Sequence, residues 1–403
     1  MKGSRLAVLY AAVLIDMTGF GMVLPLLPFY ARDMGATPLQ VTLLIASYAA
    51  MQLAAAPFWG RVSDRRGRRP LLIGGLFVSS FSYLLFGLAD SLWLLLFSRI
   101  IAGAAGGTIS LAQAYIADTT THDERARGMG HLGAASGLGV MMGPAIGGLF
   151  SSLGPEYPGL VAAALCAANA IAAIYLLPES RLEHMRGDLQ HAQASTMRGW
   201  LRSMTRYPLS LLLSIYFLTI SSFTAMTSVL ALYLADAFNA NAHSMAVMFT
   251  LAGAATVVVR GLLLGPLVRR WGEGGTVRIG VVALGLSLLA MPLLPSITAA
   301  NFVTVVYALG AGTLFPALAS LVSRATDSGS QGSILGGSQV VGGLGRVVGP
   351  MWAGLLFQSV AITSPFHVGA VLVALAGVLA LRIQVKPAAA PAAPAVEEIA
   401  SGD

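Results

Sequence analysis

Charged side chains are scarce in this chain of 403 residues, because Asp, Glu, Lys and Arg together make up only 10% of it. An ordinary soluble domain carries about a quarter, whereas hydrophobic residues reach 56% here. Cys166 is the single cysteine, so an intramolecular disulfide is excluded and packing in an apolar segment is expected for it. The composition excludes an ordinary soluble domain and indicates a protein solvated by lipid.

Signatures of catalysis and of metal binding are also missing. The sequence has no P-loop, no H-E-x-x-H and no G-x-S-x-G motif, and its six histidines show no metal-ligand spacing. We therefore expect no enzymatic activity, no cofactor and no bound metal. ATP is not the energy source that this chain encodes.

Long apolar runs are abundant instead. A helix needs about 20 apolar residues to cross the hydrocarbon core, and twelve runs of that order are present. They predict helices over 6–31, 38–60, 70–89, 92–117, 128–152, 158–177, 208–236, 243–268, 277–296, 299–322, 331–358 and 364–384. The tail 386–403 is too rich in Pro, Ala and polar residues to pack, so we predict it to be disordered.

The basic residues follow the predicted topology. Most of the 24 Lys and Arg residues lie in alternate connections, and the opposite connections hold only Arg32. By the positive-inside rule, both termini are expected in the cytoplasm. The net charge of +7 therefore reflects topology and contact with lipid headgroups, not nucleic-acid binding.

Two motifs recur about 205 residues apart. "GRVSDRRGRRPLLIGG" begins at Gly60 and a weaker copy, "GPLVRRWGEGGTVRIGV", begins at Gly265; "GLGVMMGPAIGGLF" begins at Gly137 and "GLGRVVGPMWAGLLF" at Gly343. An offset of six helices preserves orientation, so the halves are expected to be parallel repeats. We predict an all-α membrane protein with six-helix bundles at 1–177 and 208–385, joined by a cytoplasmic linker at 178–207.

These motifs resemble a known family. "GRVSDRRGRRPLL" is similar to the cytoplasmic loop signature of the major facilitator superfamily, and "GLGVMMGPAIGG" is similar to its helix-5 signature, which is associated with antiporters. "LIDMTGFGMVLPLLP", "YAAMQLAAAPFWGRVSDRRGRRPLL" and "AYIADTT" resemble the twelve-helix drug:proton antiporters, especially tetracycline efflux proteins. The resemblance implies a major facilitator fold and proton-coupled drug export.

Few ionisable residues fall inside the predicted helices, where leaving a charge unpaired is costly. Asp16 lies about 11 residues, or roughly 16 Å, beyond Arg5, and Arg99 enters the fourth helix from the other side. We predict that this pair couples transport to protons, with Arg99 as the partner of Asp16. The alternative is a static pair that only orients the helices.

Arg260 and Arg346 lie in the second half, where no acid is predicted inside any helix. They either attract an anionic group of the substrate or bind backbone carbonyls at helix breaks. Further candidates for substrate contact are the polar and aromatic residues on the probable cavity helices, of which Gln52 also matches the tetracycline exporters. These residues are Tyr48, Gln52, Gln113, Gln339 and Trp352.

The resemblance also implies two conformational devices. The first is a latch on the cytoplasmic side, formed by Gly60, Asp64, Arg65, Gly67 and Arg68; the N-terminus of the eleventh helix could attract Asp64, and local salt bridging is the alternative. The second is a paired hinge that seals the halves, for which close helix packing is the alternative. Its residues are Gly139, Gly143, Pro144 and Gly147 in helix 5, and Gly349 and Pro350 in helix 11.

Two departures argue against tetracycline as the substrate. Ser82 stands where the tetracycline exporters carry an acid in helix 3, and "TVVVRG" stands where they carry a histidine in helix 8. We expect a monomeric, proton-coupled exporter of a lipophilic small molecule. An importer or facilitator of an anionic metabolite that uses Arg260 and Arg346, and a membrane receptor or assembly factor that does not transport, are the alternatives.

Overall fold

The computed structural model describes residues 2–179, 204–326 and 331–383, and every regular element in this part of the chain is helical. The linker predicted at 178–207, except for its two ends, and the tail predicted at 386–403 lie outside the described residues. We number the α-helices α1 to α14 in chain order. They are Lys2–Val23, Leu27–Asp33, Pro38–Arg66, Arg69–Gly87, Leu92–Ala105, Thr108–Thr119, His122–Ser151, Tyr157–Leu176, Leu209–Phe238, Ala242–Val258, Leu264–Ala290, Ile297–Arg324, Gln331–Ser359 and Ser364–Leu381.

Local sequence explains where several helices begin. α3 starts with a capping box in which the Thr37 hydroxyl accepts from the Gln40 amide while the Gln40 side chain accepts from the Thr37 amide. Asn241 caps α10 and Ser296 caps α12 in the same way, each accepting a backbone N–H three residues on. These side chains satisfy amides that have no partner within the helix.

Two predicted helices are interrupted. The run predicted over 6–31 turns between Val23 and Leu27, which separates α1 from α2. The run predicted over 92–117 breaks at Gly106 and Gly107, which separates α5 from α6. Glycine favours such a break because it disfavours a continuous helix.

Two other predicted helices are joined. The helical stretch Ala242–Leu293 contains 52 residues, includes the π-helical turn Val259–Leu263 and ends in the 3-10 turn Met291–Leu293. At 1.5 Å per residue it would be about 78 Å long if straight, well over twice the hydrocarbon thickness of about 30 Å. It is kinked at Gly272, whose φ of 67° and ψ of 176° lie outside the helical region. Glycine is required there because other residues rarely adopt a positive φ.

Eleven helical segments of the described chain are long and apolar enough to cross a membrane, so the protein is a multi-pass integral membrane protein. Helices α1 to α8, the first group, pack with α1 against α7 and α8, α4 against α8, and α3 against α5. Helices α9 to α14, the second group, pack with α9 against α13 and α14, α11 against α14, and α10 against α12. The two groups meet where α3 packs on α13 and α7 packs on α10.

The two ends of the helical bundle, where the helices begin and end, differ in charge. We call the end that holds the C-terminus of α3 and the N-terminus of α4, with Arg65, Arg66, Arg68 and Arg69, the arginine-rich face. The opposite end holds the connections after α2 and α9, and we call it the arginine-poor face. This division locates the residues discussed below.

Candidate functional site

Asp16 lies in the middle of α1 and is buried, with 4% of its surface exposed. Its carboxylate is within hydrogen-bonding reach of the side chains of Ser79 on α4 and Thr108 at the start of α6. Ser82, which replaces the acid of the tetracycline exporters, is fully buried one turn from Ser79 and donates to the Ser79 carbonyl oxygen at 3.0 Å. Asp16 therefore lies in a small polar pocket built from three helices.

The break between α5 and α6 places Thr108 in this pocket. Breaking a helix inside a membrane frees backbone carbonyls that need new hydrogen-bond donors. Two side chains of α3 act as these donors. Gln52 donates its Nε2 to the Gly106 carbonyl at 2.8 Å, and the Trp59 indole donates to the Ala104 carbonyl. Gln52, predicted as a substrate contact, is thus engaged in holding the break.

No ion pair joins Asp16 and Arg99 among the described residues of this structure, and the role of Arg99 in proton coupling stays a prediction. Arg99 is buried on α5 with 4% of its surface exposed, and its guanidinium carbon lies 5.0 Å from the centre of the Phe86 ring. Its Nε contacts the Ser98 hydroxyl at 3.3 Å, while its Nη2 has no hydrogen-bond partner among the described residues. Hydroxyls, not a guanidinium, surround the Asp16 carboxylate.

Two tyrosines lie near both Asp16 and Arg99. Tyr83 on α4 interacts electrostatically with both Asp16 and Arg99, and Tyr48 on α3 interacts with Asp16, Arg99 and Arg346. Tyr48 therefore connects the polar pocket of the first group with an arginine of the second group. We name Tyr48, Tyr83, Asp16, Arg99 and Arg346 the central cluster.

The other predicted substrate contacts are dispersed. Trp352 on α13 donates its indole N–H to the Ser221 hydroxyl at 3.0 Å, Gln113 and Gln339 are exposed, and Arg260 is exposed on the π-helical turn. π-helical turns often accompany functional sites, but no described hydrogen bond or ion pair links Arg260 to the central cluster.

The predicted latch residues make their described contacts within the first group. Arg68 binds Asp118 of α6, with Nε to Oδ2 at 3.0 Å, and its backbone N–H donates to the Glu179 carboxylate at 3.0 Å. Gly67 has a φ of 94°, and a Cβ there would lie 2.6 Å from Glu179 Oε2. Gly60 and Arg65 are exposed, and the Asp64 side chain lies outside the described part of the chain. The contact of Asp64 with helix 11 stays a prediction.

The second group carries an equivalent ion pair of reversed polarity. Gly272, 205 residues after Gly67, also has a positive φ, and the next residue, Glu273, binds Arg324 Nε at 3.0 Å. Glu273 and Arg324 stand where the first group has Arg68 and Asp118. Acid and base have exchanged places between the two groups.

The glycines of the predicted hinge pack inside each group in this structure, and their role as a seal between the halves stays a prediction. Gly139, Gly143 and Gly147 lie one turn apart on α7 and face α1, where a Cβ at Gly147 would lie 2.8 Å from the Met22 carbonyl oxygen. Gly349 faces Ser221 and Ala225 of α9. Small residues four apart allow such close backbone approach. Both helices continue through their prolines, Pro144 and Pro350.

The contact between the groups uses other positions of the same helices. The Ala246 methyl fills the space next to Gly148 of α7, and the Thr42 hydroxyl fills the space next to Gly354 of α13. Nearer the arginine-poor face, Arg32 binds Asp236 through two N–O contacts of 2.6 and 3.1 Å, and the Leu39 amide donates to the Gln358 side chain at 3.2 Å. These described contacts hold the groups together at the arginine-poor face.

Asp236→Asn is expected to loosen this closure. The Arg32–Asp236 pair is partly exposed, so its loss should cost about 0.5–1 kcal/mol and open this face about two- to fivefold more often. In a Cys166→Ala background, a cysteine at buried Thr42 should react correspondingly faster with an impermeant maleimide. Asp236→Glu serves as the charge-preserving control. Equal labelling rates in Asp236→Asn, Asp236→Glu and the protein with Asp236 would contradict the expectation.

Sequence reasoning missed part of the site. Ser79, Tyr83 and Thr108 were not predicted, although they surround the two ionisable residues that were. Their signal in the sequence was weak, because uncharged polar residues are common in transmembrane helices and most only pack. The glycine pair Gly106–Gly107 inside a long apolar run was the one feature that marked the helix break.

Comparisons with known proteins agree with this architecture. A model described as Major Facilitator Superfamily matches residues 9–350 and again 212–401. The tetracycline resistance protein, class C, of Escherichia coli is 30% identical over 367 residues, covering 90% of this chain and 92% of that protein. Multidrug resistance protein 2 of Bacillus subtilis (strain 168) is 28% identical over 353 residues, covering 87% and 88%.

A solved structure shows the same fold. The human organic anion transporter MFSD10 (TETRAN) superposes with a TM-score of 0.72 and 24% sequence identity, covering 94% of this chain and 99% of that one. At that level of identity the likeness establishes the fold alone.

Proposed function

Because this chain belongs to the major facilitator superfamily, we propose that it exports a drug or a similar lipophilic small molecule in exchange for protons. The superfamily consists of transporters of small molecules, and the relatives named above are resistance proteins. The proposal assigns to this chain both the export and the antiport with protons.

The observation that carries the proposal is the burial of Asp16 without a cation. A carboxylate inside a membrane is costly and marks a proton path or an ion path by default. The Ser79 and Thr108 hydroxyls lie near the Asp16 carboxylate, which forms no ion pair with a described residue, so Asp16 can lose or gain a proton without breaking one. Tyr48 is influenced electrostatically by both Asp16 and Arg346 of the second group, which supports coupling between the protonation of Asp16 and the contact of the two groups.

The proposed architecture is twelve spanning helices in two parallel six-helix repeats. The kink at Gly272 supports it, because it divides the 52-residue stretch into two spans. The same pairs of helices pack in both groups, which supports bundles at 1–177 and 208–385 on either side of a linker at 178–207. We further propose a monomer in the bacterial inner membrane, with both termini and the arginine-rich face in the cytoplasm.

In this orientation the described contacts close the side away from the cytoplasm. Export then requires the groups to rock. The Arg32–Asp236 contact opens while the two groups approach each other at the arginine-rich face. Asp16 would be protonated in one facing state and deprotonated in the other, and substrate and proton would compete for the central cavity.

Transport of two dyes that share a ring scaffold but differ in charge tests the proposal. The purified protein is reconstituted into proteoliposomes, and uptake of carboxyfluorescein, an anion, and rhodamine 6G, a cation, is measured with and without an imposed proton gradient. Total dye is counted after lysis at fixed pH, and a pH electrode records proton movement. We expect at least one dye to move against the proton flux and to stop when nigericin removes the gradient. Dye uptake at the same rate with and without the proton gradient would support a facilitator instead.

A further inference from the structure

Arg346 is a cation in the middle of the long apolar helix α13. It lies 15 residues from the start of α13 and 13 from its end, or about 22 and 20 Å at 1.5 Å per residue. Its side chain is partly buried. The corresponding residue of the first repeat is Val140, so the charge is a feature of the second copy alone.

No described carboxylate neutralises this cation. The second group has two acids among its described residues: Asp236 lies near the end of α9, and Glu273 follows the kink at Gly272 in α11. Asp236 binds Arg32, and Glu273 binds Arg324 and the Ser320 hydroxyl. No hydrogen bond or ion pair joins Arg346 to any described residue.

Arg346 faces the boundary between the two groups. α3 and α13 run antiparallel there, with Thr42 beside Gly354 and Leu53 beside Gly343, which places Tyr48 at the level of Arg346. Tyr48 interacts electrostatically with Arg346 and Arg99. Arg99 also keeps a buried Nη2 without a described partner. Two guanidinium groups with unused donors therefore flank one tyrosine, and Asp16 is the only carboxylate in the central cluster.

An aromatic wall adjoins the same position. Phe223 stacks on Tyr307 with ring centres 5.4 Å apart, and Phe315 contacts both Phe223 and Tyr216 edge-on at 5.5 and 6.0 Å. The Tyr216 hydroxyl lies where a Cβ at Gly342 would be. Gly342 is one turn before Arg346 on the same helix face, so the wall ends beside the guanidinium.

We propose that Arg346 is the counter-ion for an anionic group of the transported molecule, so that the substrates are amphiphilic organic anions. The inference rests on the export function proposed above and names its substrate class. A carboxylate or sulfonate would bind Arg346 beside Tyr48, and planar apolar rings would pack on the wall of Phe223 and Phe315. Guanidinium groups suit this task because they bind oxyanions through two parallel hydrogen bonds.

Four proteins and the two dyes described above test this inference. Arg346→Gln should lower the initial rate of carboxyfluorescein transport at subsaturating dye about ten- to a hundredfold, the effect of one charge-assisted contact. The rate for rhodamine 6G should stay the same or rise, and an unchanged monodisperse chromatographic peak in detergent shows that the variant is folded. Arg346→Lys should retain part of the carboxyfluorescein rate. Arg270→Gln, which removes an exposed positive charge stacked on Trp271, should behave like the unchanged protein.

Three outcomes would overturn the inference. Equal carboxyfluorescein rates in Arg346→Gln and the unchanged protein would remove Arg346 from the site. Loss of both dyes in both Arg346 variants would give the arginine a structural role. Gradient-driven transport of rhodamine 6G without carboxyfluorescein in the unchanged protein would reject the anion class while export stands, whereas gradient-driven transport of neither dye would reject both proposals.

Discussion

Asp16→Asn is expected to abolish proton-driven export while leaving the exchange of substrate for substrate intact. Asparagine keeps the size of the side chain and can still accept hydrogen bonds from Ser79 and Thr108, so the pocket should stay folded. It cannot take up or release a proton between the two facing states. Gradient-driven accumulation of dye should therefore fall to the level of liposomes without protein.

The measurement compares two kinds of flux in the same proteoliposomes. Accumulation under a proton gradient should vanish, whereas exchange of labelled for unlabelled dye at equal pH should remain. Asp90→Asn removes an exposed carboxylate and should change neither flux. If Asp16→Asn still moves protons when dye is added, Asp16 is not the coupling group.

Gly143→Ala is expected to destabilise the protein. A Cβ at Gly143 would lie 2.5 Å from the Gly21 Cα of α1, and backbone atoms cannot turn aside as a flexible side chain can. The helices must separate, at a cost of about 1–3 kcal/mol or more. The apparent melting temperature in detergent, followed by the loss of the monodisperse chromatographic peak, should fall by several degrees.

Gly137 provides the matched control for this change. It lies on the same helix, six residues earlier, and a Cβ there would meet nothing within 4 Å. Gly137→Ala should leave the melting temperature unchanged or raise it slightly, because alanine favours the helix. Equal losses of stability in the two variants would show that helix propensity, not contact with α1, sets the effect.

The sequence predicted the membrane fold because its signals are local and strong. A run of about 20 apolar residues can hardly be anything but a spanning helix, and Asp16 is conspicuous in such a run. Both conclusions need only the order of residues along one helix. The prediction that no acid lies inside a helix of the second half was wrong, because Asp236 lies in α9 and Glu273 lies in α11.

The sequence could not predict which helix faces meet. Arg99 was assigned to Asp16 from depth alone, yet the rotation of α5 directs its guanidinium to Phe86. Gly139, Gly143 and Gly147 of α7 were assigned to the boundary between the halves, yet they face α1. Depth follows from counting residues, whereas rotation and lateral position depend on contacts between distant segments.

The exchange of acid and base between Arg68–Asp118 and Glu273–Arg324 makes an informative double substitution available. Arg68→Asp combined with Asp118→Arg keeps an ion pair within the first group but gives both groups the same polarity at equivalent positions. Removing a single charge breaks the ion pair, so the effect of losing the pair cannot be separated from the effect of changing its polarity. The charge-swapped protein can, because it conserves the bridge and alters only what one bundle presents electrostatically to the other.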